Sequence, residues 1–118
     1  MAPMSGNAFQ VSGRGGASGR VHILQVTGAI THASAAAFQE AVRAVESPGV
    51  VLDLSGVPSV DSMAVGALVR AFVFCNKAGR KFALVGVNHR VSNVLRLTGV
   101  DSLFDTYATV AVAEAALV

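Results

Sequence analysis

Asp61 and Ser62 stand side by side where an apolar, strand-like run gives way to a helical pattern. A serine hydroxyl at that junction has two chemical uses. It can accept a hydrogen bond from the free N–H groups of a helix's first turn, as an N-cap. Once phosphorylated, it would carry about −1.5 to −2 charge at the positive end of the helix. The Asp61 carboxylate stands next to it, so the two anions would repel and a surface docked there would change character without refolding. Ser55 and Ser59 are rival acceptors in the same loop. The plainer alternative makes Ser62 an N-cap and Asp61 a solvated turn residue.

The remaining reactive residues offer less. His22, His32 and His89 are far apart in sequence and lack Cys or carboxylate at metal-ligand spacing, so no metal site is expected. A triad of Ser62, Asp61 and a histidine would lack the Gly-x-Ser-x-Gly elbow, and no paired carboxylates suit acid–base work, so the chain is not expected to be an enzyme. The run Gly13-Arg14-Gly15-Gly16-Ala17-Ser18-Gly19 lacks the Gly-Lys-Ser/Thr ending of a phosphate-binding loop and no helical pattern follows it. Cys75 is the only cysteine, which excludes an intrachain disulfide, and its apolar surroundings suit a small core residue.

A junction such as Asp61-Ser62 needs elements to hold it. Phe9 and Val11, then Val21, Ile23, Leu24 and Val26, read as two short strands of a hairpin whose tip is the glycine-rich run. Thr31 or Ser34 can cap a helix reaching about Glu46, closed by Pro48-Gly49. Val50-Val51-Leu52-Asp53-Leu54 reads as a strand buried on both faces, as in a parallel sheet. A second helix starts at Asp61 or Ser62 and runs to about Lys77. It is apolar nearly all round, so beyond the face on the sheet it must meet neighbouring helices, a partner or a second copy of the chain, with packing against the third helix the plainest expectation. Phe82 to Val85 is another buried strand, and Asn88 caps a third helix with Val91, Val94 or Leu95, and Thr98 on one face. Leu103 to Tyr107 supplies a last extended segment, and Thr109 caps a terminal helix carrying Val112, Ala115 and Ala116. The order β-β-α-β-α-β-α-β-α predicts an α/β fold, a mixed, mostly parallel sheet with helices packed on it and the hairpin strand at one edge.

At 118 residues the chain suits one domain, expected over residues 9–118, with residues 1–8 as a disordered tail. Net charge is +2 and the nine Lys and Arg are scattered without interleaved aromatics, so nucleic acid is not an expected partner. There is no secretory signal pattern, and the longest apolar stretch, Met63 to Cys75, contains Arg70 and falls short of the ~20 residues of a membrane span. A cytoplasmic protein without membrane insertion is expected.

From Val21 to Leu117 the chain resembles the STAS family, named for sulfate transporters and anti-sigma factor antagonists. The matching segments come in order. Val51-Leu52-Asp53-Leu54-Ser55 resembles the family's third strand, and Asp61-Ser62 with Gly66, Ala67 and Leu68 its signature turn and helix. Ala78-Gly79-Arg80-Lys81 and Leu84-Val85-Gly86-Val87 resemble the next turn and strand. Val94 to Val100 and Leu103-Phe104 resemble the segment beyond.

The resemblance implies a stand-alone anti-sigma factor antagonist that switches by partner exchange. Unphosphorylated, such a protein binds an anti-sigma factor, usually a serine kinase with a histidine-kinase-like fold. The kinase phosphorylates the serine corresponding to Ser62, binding is lost, and a phosphatase restores the cycle. ATP belongs to the kinase, so no cofactor is expected. The implied partner surface takes in Asp61, Ser62, Met63 and Ser59, flanked by Thr31 and His32. Met63 could equally contact a partner or enter the core. Two departures mark this chain: Gly28-Ala29-Ile30-Thr31 stands where relatives often carry Gly-Glu-Ile/Leu-Asp, and Met63-Ala64 follows Ser62 where glycine is common. Loss of the two acids suits an alternative role, a non-switching scaffold subunit of a stressosome-like or lipid-transport complex. Self-association into a homodimer is left open.

Overall fold

The computed structural model describes residues 9–117; the tail expected over residues 1–8 lies outside them. The elements are β1 (Gln10–Gly15), β2 (Val21–Thr27), α1 (Ala35–Arg43), β3 (Gly49–Gly56), α2 (Ser62–Lys77), β4 (Lys81–Val85), α3 (His89–Leu97), β5 (Asp105–Tyr107) and α4 (Val110–Leu117), with a 3-10 turn at Asp101–Leu103. The expected order holds. One sheet runs β1-β2-β3-β4-β5, with β1 antiparallel at the edge and β2 to β5 parallel.

Alternation along the central strands explains their continuous apolar runs. Leu24 and Val26, Val50, Leu52 and Leu54, and Phe82 and Leu84 face a core shared with α1, α2 and α3. Val21, Ile23, Val51, Ala83 and Val85 face a second, smaller core under α4, closed by Ala113 and Leu117. Right-handed crossovers between strands in simple sequential order place the three linking helices on one face, and α4, which follows the last strand, covers the other.

Several expectations are corrected. Strand β1 continues through Gly13, Arg14 and Gly15, which pair with Leu24, Ile23 and His22, so only Gly16–Arg20 forms the tip. Glycine is tolerated there because β1 is an edge strand, and at Gly13 a Cβ would stand 2.5 Å from His22 Nε2. Helix α1 ends at Arg43, not near Glu46. Val45 N–H bonds to Val42 O (3.2 Å), tightening the last turn, and the buried Val45 leads into the turn at Pro48.

On α3, Val91 and Leu95 are buried while Thr98 is exposed and donates its hydroxyl back to Val94 O (2.8 Å). On α4, Ala113 and Leu117 make the buried face and Val112 is 53% exposed. The principal helix neighbour of α2 is α1, not α3. Phe38 and Val42 pack with Ala64, Ala67, Leu68 and Ala71, and buried Gln39 donates from Nε2 to Ala67 O (2.9 Å). Cys75 lies in that core, and burial pushes its thiol pKa up despite the opposing Arg80 charge. No helix among the described residues is long and apolar enough to cross a membrane.

Candidate functional site at the start of helix α2

Parallel strands deliver their following loops to one end of the sheet, and the loops after β2, β3 and β4 converge there. The β2–α1 and β3–α2 loops are joined by a short parallel ladder. Gly28 N–H donates to Gly56 O (3.0 Å), Ile30 N–H to Ser59 O (3.2 Å), and Asp61 N–H to Ile30 O (3.4 Å). Beneath them β3 carries an extra residue, since Gln25 faces Asp53 and Thr27 faces Gly56. Asp53 Oδ1 holds this bulge by accepting from Ser55 N (3.0 Å) and Ser55 Oγ (2.7 Å). Gly86, at φ +71°, packs against Ser55; a Cβ there would stand 2.7 Å from the serine's own.

Asn88 ties in the third loop. Its Oδ1 accepts from Val91 N (2.8 Å), capping α3, while its Nδ2 donates to Val57 O (3.1 Å) and Pro58 O (3.3 Å). The sequence marks Asn88 as a cap; the bridge to the Ser62 loop depends on loops thirty residues apart meeting, which spacing does not reveal.

On this frame the N-cap of α2 is Asp61, not Ser62. Asp61 is extended (φ −94°, ψ 174°) and its Oδ1 accepts from Ala64 N at 2.7 Å. Ser62 is the first helical residue, and among the described residues its exposed hydroxyl makes no hydrogen bond. A neutral hydroxyl is therefore presented outward, one residue past a carboxylate that already occupies a first-turn N–H. Met63 is 65% exposed, which resolves its two readings in favour of the surface.

Thr31 is half-buried and His32 exposed in the adjoining β2–α1 loop. Thr31 does not cap α1: Ser34 holds the N-cap position, and its hydroxyl turns back to accept from Thr31 N (3.0 Å) rather than from the helix. Ser59 is half-buried, and Ser55 is committed to Asp53. No group of three metal-ligating side chains occurs among the described residues.

The model of the STAS domain family matches residues 16–113. The chain belongs to the STAS domain family. A relative from Thermotoga maritima, named as a proposed anti-sigma factor antagonist, is 38% identical over 61 residues, covering 52% of this chain and 54% of its own. The chain spans about half the length of the curated relatives it matches. Among solved structures, an anti-sigma factor antagonist from Mycobacterium paratuberculosis superposes with a TM-score of 0.83 at 25% identity, covering 96% of this chain and 97% of that one. A murine anion transporter of the solute carrier 26 family shares the fold at TM-score 0.74 and 22% identity. There the match covers 83% of this STAS domain and 18% of the transporter.

Proposed function

We propose that this STAS domain is an anti-sigma factor antagonist whose partner surface is the loop end around Ser62. It binds an anti-sigma factor serine kinase while Ser62 is unmodified. That binding frees a sigma factor; phosphorylation of Ser62 by the kinase ends the binding, and a serine phosphatase restores it. The domain acts in the cytoplasm, where kinase and ATP meet it, and performs no catalysis itself.

The observation that carries this reading is the free hydroxyl of Ser62 at the first position of α2, beside a carboxylate and just past a loop tied down from both sides. A phosphate there would lie against the Asp61 carboxylate, which already holds Ala64 N–H. The two anions would compete for the first-turn N–H groups, and the charge at the contact would change sharply while the frame beneath stayed in place. Thr31, His32, Ser59 and Met63 complete the surface. The naming of the Thermotoga maritima relative and the Mycobacterium paratuberculosis structure supports the same role.

The test is intact-mass analysis after incubation with candidate anti-sigma kinases and ATP, followed by peptide mapping. One added phosphate on Ser62 is expected. No phosphate with any kinase would instead favour the non-switching scaffold role, which the missing acids at Gly28-Ala29-Ile30-Thr31 also suit.

A further inference from the structure

Helix α2 is covered on one side by the sheet and on another by α1, yet one stripe remains open along its whole length. Met63, Gly66, Arg70, Val73 and Lys77 fall at spacings of three, four, three and four, the period of a helix-pairing seam. Met63 is 65% and Val73 40% exposed, and Arg70 and Lys77 are exposed without a hydrogen-bond or ion-pair partner among the described residues. Gly66 leaves a gap in the stripe; a Cβ there would meet only Arg70 Nη1, at 3.4 Å.

Charge on this face is one-sided. Helices α1, α2 and α3 carry Arg43, Arg70, Lys77, Arg90 and Arg96 against a single acid, Glu40, with Asp61 at the head of α2. Of the other acids, Asp53, Asp105 and Glu114 belong to the α4 side of the sheet, by register or by element, and Glu46 and Asp101 sit in turns. A net charge of +2 conceals this segregation.

We propose that the open stripe of α2 seats an acidic amphipathic helix of the protein's partner. Apolar side chains of that helix pack over Met63, the gap at Gly66 and Val73. Its carboxylates meet Arg70 and Lys77 along the seam, with Arg43 of α1, whose guanidinium lies 6.0 Å from the centre of the Phe74 ring of α2, as a flanking cation. The stripe begins one residue after Ser62, so the seam continues the phosphorylation site. This rests on the reading of that end as the partner surface, and adds to it what the partner must present. A nucleic acid would use the cations but not the exposed Met63 and Val73, and so fits the stripe less well.

The probe is a labelled three-heptad peptide with leucine at a and d and glutamate at e and g, whose repeated glutamates discourage self-pairing. It is titrated with the whole protein by fluorescence anisotropy, against the same peptide with lysine for glutamate and against single-stranded DNA. Binding of the glutamate peptide alone is expected, weakening between about 0.05 and 0.5 M salt. The double variant Arg70→Glu, Lys77→Glu is expected to weaken it at least about tenfold, with Arg70→Gln, Lys77→Gln intermediate. Unchanged melting curves would confirm that the variants fold. Equal binding of both peptides, no binding, preference for DNA, or indifference to the variants would each overturn the proposal. Because this titration needs no anti-sigma factor, its failure is distinct from a failure to find a kinase that modifies Ser62.

Discussion

At the scale of single residues, Asp61 and Ser62 divide one junction between two tasks. Asp61 fixes the helix start, and the Ser62 hydroxyl makes no hydrogen bond among the described residues. Asp61→Ala should therefore cost about 1 kcal/mol of stability through loss of the cap, measured by urea unfolding, while Ser62→Ala should leave stability nearly unchanged. Their binding phenotypes should differ in the other direction. With the cognate kinase, Ser62→Asp is expected to weaken association, whereas Ser62→Ala keeps binding but gains no phosphate; a phosphate on Ser62→Ala would move the acceptor to Ser59. Cys75 makes the opposite case, a nucleophile kept out of use. Its buried thiol, with its pKa pushed up, should react with iodoacetamide far more slowly in the native protein than in urea.

At the scale of elements, the site is held by Asn88, which caps α3 with one end of its amide and grips the β3–α2 loop with the other. Asn88→Ala removes the cap and both bonds to the loop, and a loss of about 2 kcal/mol is expected from a cap plus a part-buried hydrogen bond. The distinguishing measurement is hydrogen exchange. The amides of Ile30 and Asp61, which lace the two neighbouring loops, should lose protection beyond the global change, because the β3–α2 loop in that ladder loses its anchor.

What the sequence disclosed follows the same division by scale. The apolar runs Val50–Leu54 and Phe82–Val85 announced two-sided burial because side-chain alternation serves both cores at once. The helix starts at Asn88 and Thr109 were legible because capping is local chemistry; Thr109 Oγ1 does accept from Val112 N at 3.2 Å. The pair Asp61-Ser62 was legible as a helix start but not as to which residue caps. That choice turns on the extended backbone of Asp61, set by the ladder to Ile30. The strand character of Gly13 and Gly15 was hidden, since glycine's own preference points to a turn and only the register with β2 overrules it. The buried face of α4 was hidden too, because a helix of small apolar residues shows little periodicity.

At the scale of the whole molecule, the Ser62 loops lie at the end where the parallel strands finish, and the hairpin tip lies at the other. That far end has its own fastening: Glu114 on α4 accepts from Ala17 N at 2.8 Å and so ties the hairpin to the last helix. The bond is exposed and charge-assisted, so Glu114→Ala should cost no more than about 1 kcal/mol and should speed exchange at Ala17. Because the sheet separates the two ends and they share no partners, the double variant Asp61→Ala, Glu114→Ala should be additive to within about 0.5 kcal/mol. Phosphorylation of Ser62 should likewise leave exchange at Ala17 unchanged. A coupling well above that limit, or a change at Ala17 when Ser62 is modified, would mean that the switch reaches through the sheet. Additivity would confine the switch to the α2 end, where charge alone alters the surface and the fold beneath stays as it is.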